Sequence, residues 1–195
     1  ERSSGYALSG GLVFVGTLTA GYALAVVVAG KPLDGAEQTR LFLIAASGEE
    51  SAAVAGRIGD GLIATAPDAK LVKAYGGDGR RVAQVTVCWG KDEAAARRTA
   101  LEWWPTAAIP GDNSTELPLP SSFESLAELV TEDALAEKVA CGPDPAAHVK
   151  AIQPYLDAGF DEVYLHQVGP DQEGFIRFAE QELLPRLRGG RARTG

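Results

Sequence analysis

The chain has 195 residues and a formal net charge of -8 at pH 7, with a sequence pI of about 4.8. Binding to nucleic-acid phosphates needs Lys and Arg clustered on one face, so this acidic balance argues against a nucleic-acid partner. The length allows one full core but falls short of the about 250 residues of a complete eightfold barrel. There is no Met, and we therefore expect the chain to be part of a longer reading frame.

The N-terminal segment, residues 1–35, is apolar and carries no charge between residues 3 and 30. Its apolar run exceeds the about 18 residues typical of a membrane-spanning helix, so a membrane anchor is one prediction. The β-branched stretches 12–19 and 23–29 instead predict a hairpin or two buried strands. A misjoined segment is the third interpretation. The polar connector around Pro32 and Gly35 predicts a domain boundary near residue 35.

A strand, a helix and a second strand are predicted over residues 41–66. Residues 41–44 form an unbroken apolar run, typical of a strand that is buried on both faces of a parallel sheet. The spacing of Ser47 and Glu50 predicts a capping box at the start of a helix. Gly59 is placed to end that helix in a left-handed conformation, and residues 62–65 form the next strand.

Within this first helix, Val54 and Ile58 lie four residues apart and are predicted to share its apolar face. A third strand follows at residues 84–89. Its alternation places Val85, Val87 and Trp89 on one face and Gln84, Thr86 and Cys88 on the other. We expect one face to meet helices and the other to meet a more polar barrel interior. Four strands alternate with helices over the chain, the fourth being residues 162–167.

Asp92 is predicted to cap a helix that ends near Trp104. Trp103 and Trp104 could contact a ligand, but an aromatic pair packed onto the core is the favoured interpretation. A long loop over residues 105–122 is typical of a lid or binding loop. Two short helices, 123–130 and 131–138, follow it, the second capped by Thr131.

Asp144 and Pro145 predict the start of a helix that reaches Ala158 and is terminated by Gly159. Pro154 should kink this helix or end it early. The last helix begins at Asp171 and carries an apolar stripe at helical spacing, formed by Phe175, Phe178, Ala179, Leu183 and Leu187. Residues 189–195 are predicted to be a disordered basic tail.

The cysteines and histidines show no metal-ligand spacing, so no metal site is predicted. Cys88 and Cys141 each lie in an apolar segment, which favours buried, reduced thiols in the cytoplasm over reactive thiols or a disulfide framework. His148 is predicted to lie on an exposed helix face. His166 lies near the end of the last strand, where an imidazole can exchange protons or contact a cofactor. A hydrogen-bonded histidine at the barrel mouth is the alternative.

Several segments in order resemble the second half of the bacterial luciferase-like oxidoreductases, and most of all the branch that uses the deazaflavin coenzyme F420 and includes glucose-6-phosphate dehydrogenases. The segments are AGRIGDGLIATAPD (55–68), VTVCWGKDEAAARRTALEWWP (85–105), ELPLPSSFE (116–124), CGPDP (141–145) and AGFDEVYLHQVGPDQEGFIRF (158–178). The resemblance covers residues 36–188. It implies an α/β fold, the C-terminal half of a (β/α)8 TIM barrel with strands five to eight.

The resemblance also implies site residues at the strand ends, where barrel enzymes build their sites. Ser47 and Gly48 match the turn that approaches the cofactor's phosphate-bearing tail, although a simple helix cap explains them as well. Thr65 and His166 are the expected substrate-facing residues. Asp68 stands where the family's sugar-phosphate dehydrogenases carry a lysine, so glucose 6-phosphate is not the expected substrate. The family's catalytic residues come from the first half of the barrel, and no catalytic residue is assigned here.

The function expected from the resemblance is hydride transfer between coenzyme F420 and a small organic substrate by a cytoplasmic oxidoreductase, of which this chain is an inactive fragment. The alternatives are an FMN-dependent luciferase-like monooxygenase, in which a flavin replaces the deazaflavin, and a non-catalytic barrel remnant anchored to a membrane or partner through residues 5–30. A half barrel has open sheet edges, so we expect it to be completed by residues 1–35, by an identical copy or by another chain, or to stay incomplete.

Overall fold

A computed structural model describes the backbone of residues 6–8, 11–17, 24–30, 40–109 and 119–191. The elements of this part of the chain are, in order, β1 (Tyr6–Leu8), β2 (Gly11–Thr17), β3 (Leu24–Gly30), β4 (Arg40–Ala45), α1 (Glu49–Ile58), β5 (Gly61–Ala64), α2 (Ala69–Tyr75), β6 (Arg80–Cys88), α3 (Glu93–Trp103), a 3-10 turn (Pro105–Ala108), α4 (Pro120–Ala127), α5 (Glu132–Ala136), β7 (Ala140–Cys141), α6 (Pro145–Asp157), β8 (Glu162–Gln167), α7 (Gln172–Phe178), a π-helical turn (Ala179–Leu183) and α8 (Leu184–Arg191). The chain divides into two compact units, Glu1–Gln84 with Pro154–Tyr164, and Val85–Gln153 with Leu165–Gly195.

The first unit is built on a sheet that changes from antiparallel to parallel at β4. Strands β1 to β4 pair antiparallel in sequence order. Strands β4, β5 and the first part of β6 then pair in parallel, joined by α1 and α2. The predicted strand–helix–strand unit over residues 41–66 is therefore confirmed.

Three strands, β1 to β3, rather than one helix, form the described part of the apolar N-terminal segment. Strands β2 and β3 pair from Gly11↔Gly30 to Thr17↔Leu24. The prediction of a spanning helix is wrong for these residues, because their β-branched side chains favour a strand. In the described ranges, no helix is both long and apolar enough to traverse a bilayer. The predicted boundary near residue 35 lies outside the described residues.

Helix α1 begins at a different cap from the one predicted. Gly48 is the cap residue, and the Ser51 hydroxyl accepts a hydrogen bond from the Gly48 N–H at 3.2 Å and donates to the Gly48 carbonyl at 2.9 Å. The predicted capping box of Ser47 and Glu50 is therefore wrong. Ser51, three residues after the cap, satisfies the free N–H instead.

The buried face of α1 consists of small residues, Ala52 and Ala55, whereas Ile58 is 72% exposed. The predicted apolar face of Val54 and Ile58 is therefore wrong. The alanines allow α1 to approach its neighbours closely. Gly59 ends the helix in an extended conformation, with φ of -104°, rather than the predicted left-handed one.

The core of the first unit lies between its sheet and helices. Phe160, Leu62, Leu71 and Tyr75 are its large buried residues. The stretch that leads into β8 is joined to β6 at Arg81, whose carbonyl accepts from the Asp161 N–H at 2.8 Å. This bond lies at the start of the pairing between β8 and β6.

The second unit contains the last part of β6, which pairs in parallel with β7. Asp92 accepts from the Ala95 N–H at 2.8 Å and caps α3, and Thr131 caps α5 through the Ala134 N–H at 3.2 Å. Both predicted caps are confirmed. One buried cluster of this unit consists of Cys88, Ala96, Ala100, Leu135, Val139 and Val168.

Three predicted boundaries differ from the structure. Helix α4 starts at Pro120, earlier than predicted, and residues 110–118 of the predicted loop lie outside the described residues. Helix α6 continues through Pro154 to Asp157, so it does not end early, and Gly159 terminates it at a positive φ of 97° as predicted. Helix α8 extends to Arg191, which makes the start of the predicted disordered tail helical.

Candidate functional site

The Ser47–Gly48 turn joins the end of β4 to the start of α1. The Ala46 N–H donates to the Ile63 carbonyl at 3.0 Å, which holds this turn beside β5. Gly48 has an extended backbone and is exposed, and a methyl group added to it would meet no atom within 4 Å. The Gly48 backbone is therefore open to close approach by a ligand.

The charge around this turn opposes an anion. The start of α1 offers free N–H groups and the positive end of the helix dipole, which attract a phosphate. Glu49 and Glu50 occupy the first helical turn and are both exposed. The turn therefore leaves room for a group to approach the backbone, while the two carboxylates weaken the attraction of a phosphate.

Thr65 lies just after β5, at the same carboxyl edge of the parallel sheet as the Ser47–Gly48 turn. Its carbonyl accepts a hydrogen bond from the Tyr155 hydroxyl at 2.8 Å. Burial raises the pKa of Tyr155, so this hydroxyl stays protonated and remains a donor. The structure therefore fixes the backbone of Thr65 and leaves the residue exposed.

Asp68 caps α2 by accepting from the Lys70 N–H at 2.8 Å. It is exposed, and it places a carboxylate three residues beyond Thr65. This carboxylate therefore adds negative charge at the start of α2.

His166 lies in the second unit, where it contacts Thr86 and Trp104. Its Nδ1 is 3.4 Å from the Thr86 hydroxyl, and its ring meets the Trp104 ring edge-on at a centroid distance of 4.7 Å. Trp103 and Trp104 are 51% and 39% exposed, so the predicted core-packing role of the tryptophan pair is wrong. A histidine that is held between a hydroxyl and an indole edge can present its imidazole to a small ligand.

Sequence reasoning placed Thr86 on the polar side of its strand but did not connect it with His166. The signal was available in part, since alternation along β6 separates Thr86 from the buried Val85 and Val87. The contact itself depends on the pairing of β6 with β8.

A set of amide hydrogen bonds holds the segment after His166. The Gln167 side chain accepts from the Trp89 N–H at 2.8 Å and donates to the Trp89 carbonyl at 3.0 Å. Gln172 donates to the Gly169 carbonyl at 2.7 Å, and Asp171 accepts from the Gly174 N–H at 2.8 Å. These bonds fix the end of β8 and therefore the position of His166.

His148 is fully buried, so the prediction of an exposed position is wrong. Its Nε2 is 2.9 Å from the Gly142 carbonyl, and its Nδ1 has no partner among the described residues. Burial lowers the pKa of His148 and keeps the ring neutral. Because a carbonyl only accepts, Nε2 carries the proton and donates it.

No group of three or more His, Cys, Asp or Glu side chains within residues 42–109 and 119–188 is arranged to hold a metal ion.

The family model for luciferase-like monooxygenases matches residues 20–162. An F420-dependent glucose-6-phosphate dehydrogenase from Rhodococcus hoagii (strain 103S) is 30% identical over 161 residues, which cover 74% of this chain and 48% of that protein. An F420-dependent hydroxymycolic acid dehydrogenase from Mycobacterium tuberculosis (strain ATCC 25618 / H37Rv) is 34% identical over 157 residues, which cover 74% of this chain and 42% of that protein. The chain thus spans about half the length of the curated relatives it matches.

Two solved structures share the fold. An F420-dependent secondary alcohol dehydrogenase, in complex with an F420-acetone adduct, superposes with a TM-score of 0.57 at 20% identity and covers 70% of this chain and 46% of that one. The coenzyme F420 dependent tetrahydromethanopterin reductase from Methanopyrus kandleri superposes with a TM-score of 0.52 at 22% identity. The match covers 75% of this chain and 50% of that one. The predicted fold class is confirmed, since this parallel-sheet α/β fold is part of a TIM barrel.

Proposed function

The chain belongs to the luciferase-like monooxygenase family, and from this premise we propose that it is the C-terminal barrel portion of a cytoplasmic, coenzyme F420-dependent oxidoreductase. The names of its relatives and structural neighbours support this cofactor. The observation that carries the proposal is the open Ser47–Gly48 turn at the carboxyl edge of the sheet, where barrel enzymes bind their ligands.

When bound, the deazaflavin would supply hydride transfer to or from a small organic substrate. The residues of this chain would bind and orient. The phosphate-bearing tail would be held by backbone N–H groups at the start of α1, which Gly48 leaves accessible because its side chain is a single hydrogen atom. The two exposed carboxylates of Glu49 and Glu50 would reduce this affinity without blocking the approach.

Thr65 and His166 are the proposed substrate-binding residues. Tyr155 fixes the Thr65 backbone, while Thr86 and Trp104 orient the His166 ring. With Asp68 beyond Thr65, the proposed substrate is an uncharged or cationic organic molecule rather than a sugar phosphate. A carboxylate at this point would repel the phosphate dianion. We assign these residues binding roles and assign proton transfer to none of them.

Gly48→Val tests the cofactor site. Gly48 is extended and faces open space, so valine should leave the fold intact while its side chain obstructs the backbone. Titration of the purified chain with coenzyme F420, followed by thermal melting, should raise the midpoint of the unmodified chain by mass action. The Gly48→Val variant should bind coenzyme F420 at least about tenfold more weakly, so that a higher coenzyme concentration is needed for the same rise in the midpoint. Ala134→Val, at an exposed position of α5, is the matched control and should behave like the unmodified chain.

FMN in the same titration separates the two cofactor proposals. A larger midpoint shift with FMN than with coenzyme F420 would replace the deazaflavin proposal by the flavin monooxygenase one. If neither cofactor shifts the midpoint of a folded sample, the Ser47–Gly48 turn does not bind a cofactor in this chain. An equal response of the Gly48→Val variant would place the cofactor tail elsewhere.

A further inference from the structure

Cys88 and Cys141 occupy directly paired positions on the neighbouring parallel strands β6 and β7. Both belong to the second unit, and both are free thiols. Residues that pair in register on adjacent parallel strands place their side chains on the same face of the sheet. The two thiols accordingly share one face of the sheet, and Cys141 packs against the buried cluster that contains Cys88.

The backbone holds this pair in register. The Gly142 N–H donates to the Cys88 carbonyl at 2.9 Å, and Val87 pairs with Ala140 on the other side. Neighbouring strands lie about 4.8 Å apart, and disulfide-bonded cysteines have Cα atoms about 4.4–6.8 Å apart. The strand pairing therefore presents two thiols at a separation that a disulfide can bridge without a change of register.

The surroundings of the two sulfurs differ. Cys88 is 1% exposed and its thiol donates to the Ala96 carbonyl at 3.2 Å, whereas Cys141 is half-buried. The contact with the Cys88 thiol and the charge of Arg97 lower the pKa of Cys141, while burial, Glu93 and Glu132 act in the opposite direction. The contact with Cys141 and burial raise the pKa of Cys88. Cys141 is thus the less buried thiol of the pair and the one whose pKa is lowered.

We propose that Cys88 and Cys141 form a redox-active dithiol, which a low-molecular-weight disulfide oxidises to an intramolecular disulfide. The Cys141 thiolate attacks one sulfur of the small disulfide, forms a mixed disulfide and releases one small thiolate. The Cys88 thiol then gives up its proton and attacks the Cys141 sulfur. The second small thiolate leaves, so the protein loses two electrons and two protons, and the small disulfide becomes two thiols.

Oxidised glutathione is the probe for this site. The folded chain is equilibrated in buffers with rising ratios of oxidised to reduced glutathione, quenched in acid, alkylated and analysed by intact mass and peptide mapping. We expect the species with two alkylated thiols to give way to one that lacks two hydrogen atoms, with a peptide that links Cys88 to Cys141. The transition should show a single midpoint, because one dithiol exchanges with one couple.

Two variants identify the order of attack. Cys88→Ala should accumulate one glutathione adduct on Cys141, since no second thiol is present to displace it. Cys141→Ala should stay unmodified under conditions that oxidise the unmodified chain, because Cys88 is buried. Early quenching of the unmodified chain should trap glutathione on Cys141, which tests the same order without a variant.

Several results would overturn the proposal. Disulfide formation is contradicted if both thiols can still be alkylated at the most oxidising ratio, or if disulfides form only between chains. The order of attack is contradicted if a glutathione adduct on Cys141 persists while Cys88 is present, or if the first adduct in a folded sample is on Cys88. Circular dichroism confirms that each variant is folded before its adducts are compared.

Discussion

At the scale of single residues, His148 shows how burial can remove an ionisable side chain from chemistry. Its ring packs edge-on against Phe178 at a centroid distance of 5.2 Å and donates to the Gly142 carbonyl. Burial lowers its pKa, so the folded chain disfavours the charged imidazolium. The histidine acts as a packed, hydrogen-bonded side chain rather than an acid or base.

This shift predicts a loss of stability in mild acid. The pKa of His148 is lower in the folded than in the unfolded chain, so its contribution is fully present above about pH 6.5 and is lost as the pH falls below that value. The free energy of unfolding, measured with urea, should be about 1 kcal/mol lower at pH 5.5 than at pH 7.5 because of this residue. His148→Gln should remove this part of the difference, whereas His166→Gln should retain it. An unchanged pH dependence in His148→Gln would contradict the prediction.

At the scale of elements, helices α1 and α2 meet through a glycine. A methyl group on Gly56 would come within 1.7 Å of the Tyr75 carbonyl oxygen. The buried Ala52 and Ala55 lie on the same helix. The absence of side-chain volume is therefore what allows the close approach of the two helices.

Gly56→Ala should consequently destabilise the chain, because the backbone of α2 must move to admit the methyl group. We expect a loss of about 2–3 kcal/mol in the free energy of unfolding, typical of overpacking against a rigid neighbour. Gly48→Ala is the matched control and should change stability by about 0.5 kcal/mol or less, since that methyl group meets open space. Urea denaturation of both variants checks this, and equal losses would show that α1 can shift freely.

A second element-scale feature is the ion pair that joins Arg81 of β6 to Asp161. The guanidinium donates to both carboxylate oxygens, at 2.8 and 2.7 Å, and the Arg81 N–H adds a third bond at 3.1 Å. The hydrogen bond with Asp161 raises the pKa of Arg81. The neighbouring pair of Arg80 and Glu162 has one contact at 3.3 Å.

Asp161→Asn should cost about 0.5–1 kcal/mol in the free energy of unfolding, a range that allows for the solvent screening of a pair with both side chains partly exposed. Glu162→Gln is the control and should cost less, because its single contact lacks the two-pronged geometry. Urea unfolding at low and high salt measures both. The prediction fails if the two variants lose equal stability or if salt has no effect on the difference.

At the scale of the whole molecule, the sequence predicted the alternation of strands and helices because buried apolar runs and caps such as Asp92 are local signals. It failed for Gly59, where the Ile44 side chain and the Ala55 carbonyl lie close to the backbone. It also failed for Ile58, which is exposed because the small residues Ala52 and Ala55 form the buried face of α1. The hydropathy of residues 1–35 alone could not distinguish a membrane-spanning helix from strands β2 and β3. The placement of Ser47, Gly48, Thr65 and His166 at strand ends was predictable, while their binding roles stay predictions.

The contacts around His166 could not be predicted from sequence. Thr86 and His166 are 80 residues apart in the chain, and only strand pairing brings them within 3.4 Å. Similarly, the polarity of His148 suggested a surface position, whereas Phe178 and the Gly142 carbonyl provide its buried partners. Local patterns identify elements, but long-range register determines which side chains meet.

The pairing of β3 with β4 has a consequence for self-association. Strand β4 is paired with β5 on one side and with β3 on the other, the latter from Leu24↔Ala45 to Ala29↔Arg40. An incoming strand from another molecule must first break this β3 pairing before it can extend the sheet at β4. Sheet growth at β4 therefore requires the detachment of β3, and the β3 pairing protects β4 from edge-to-edge aggregation.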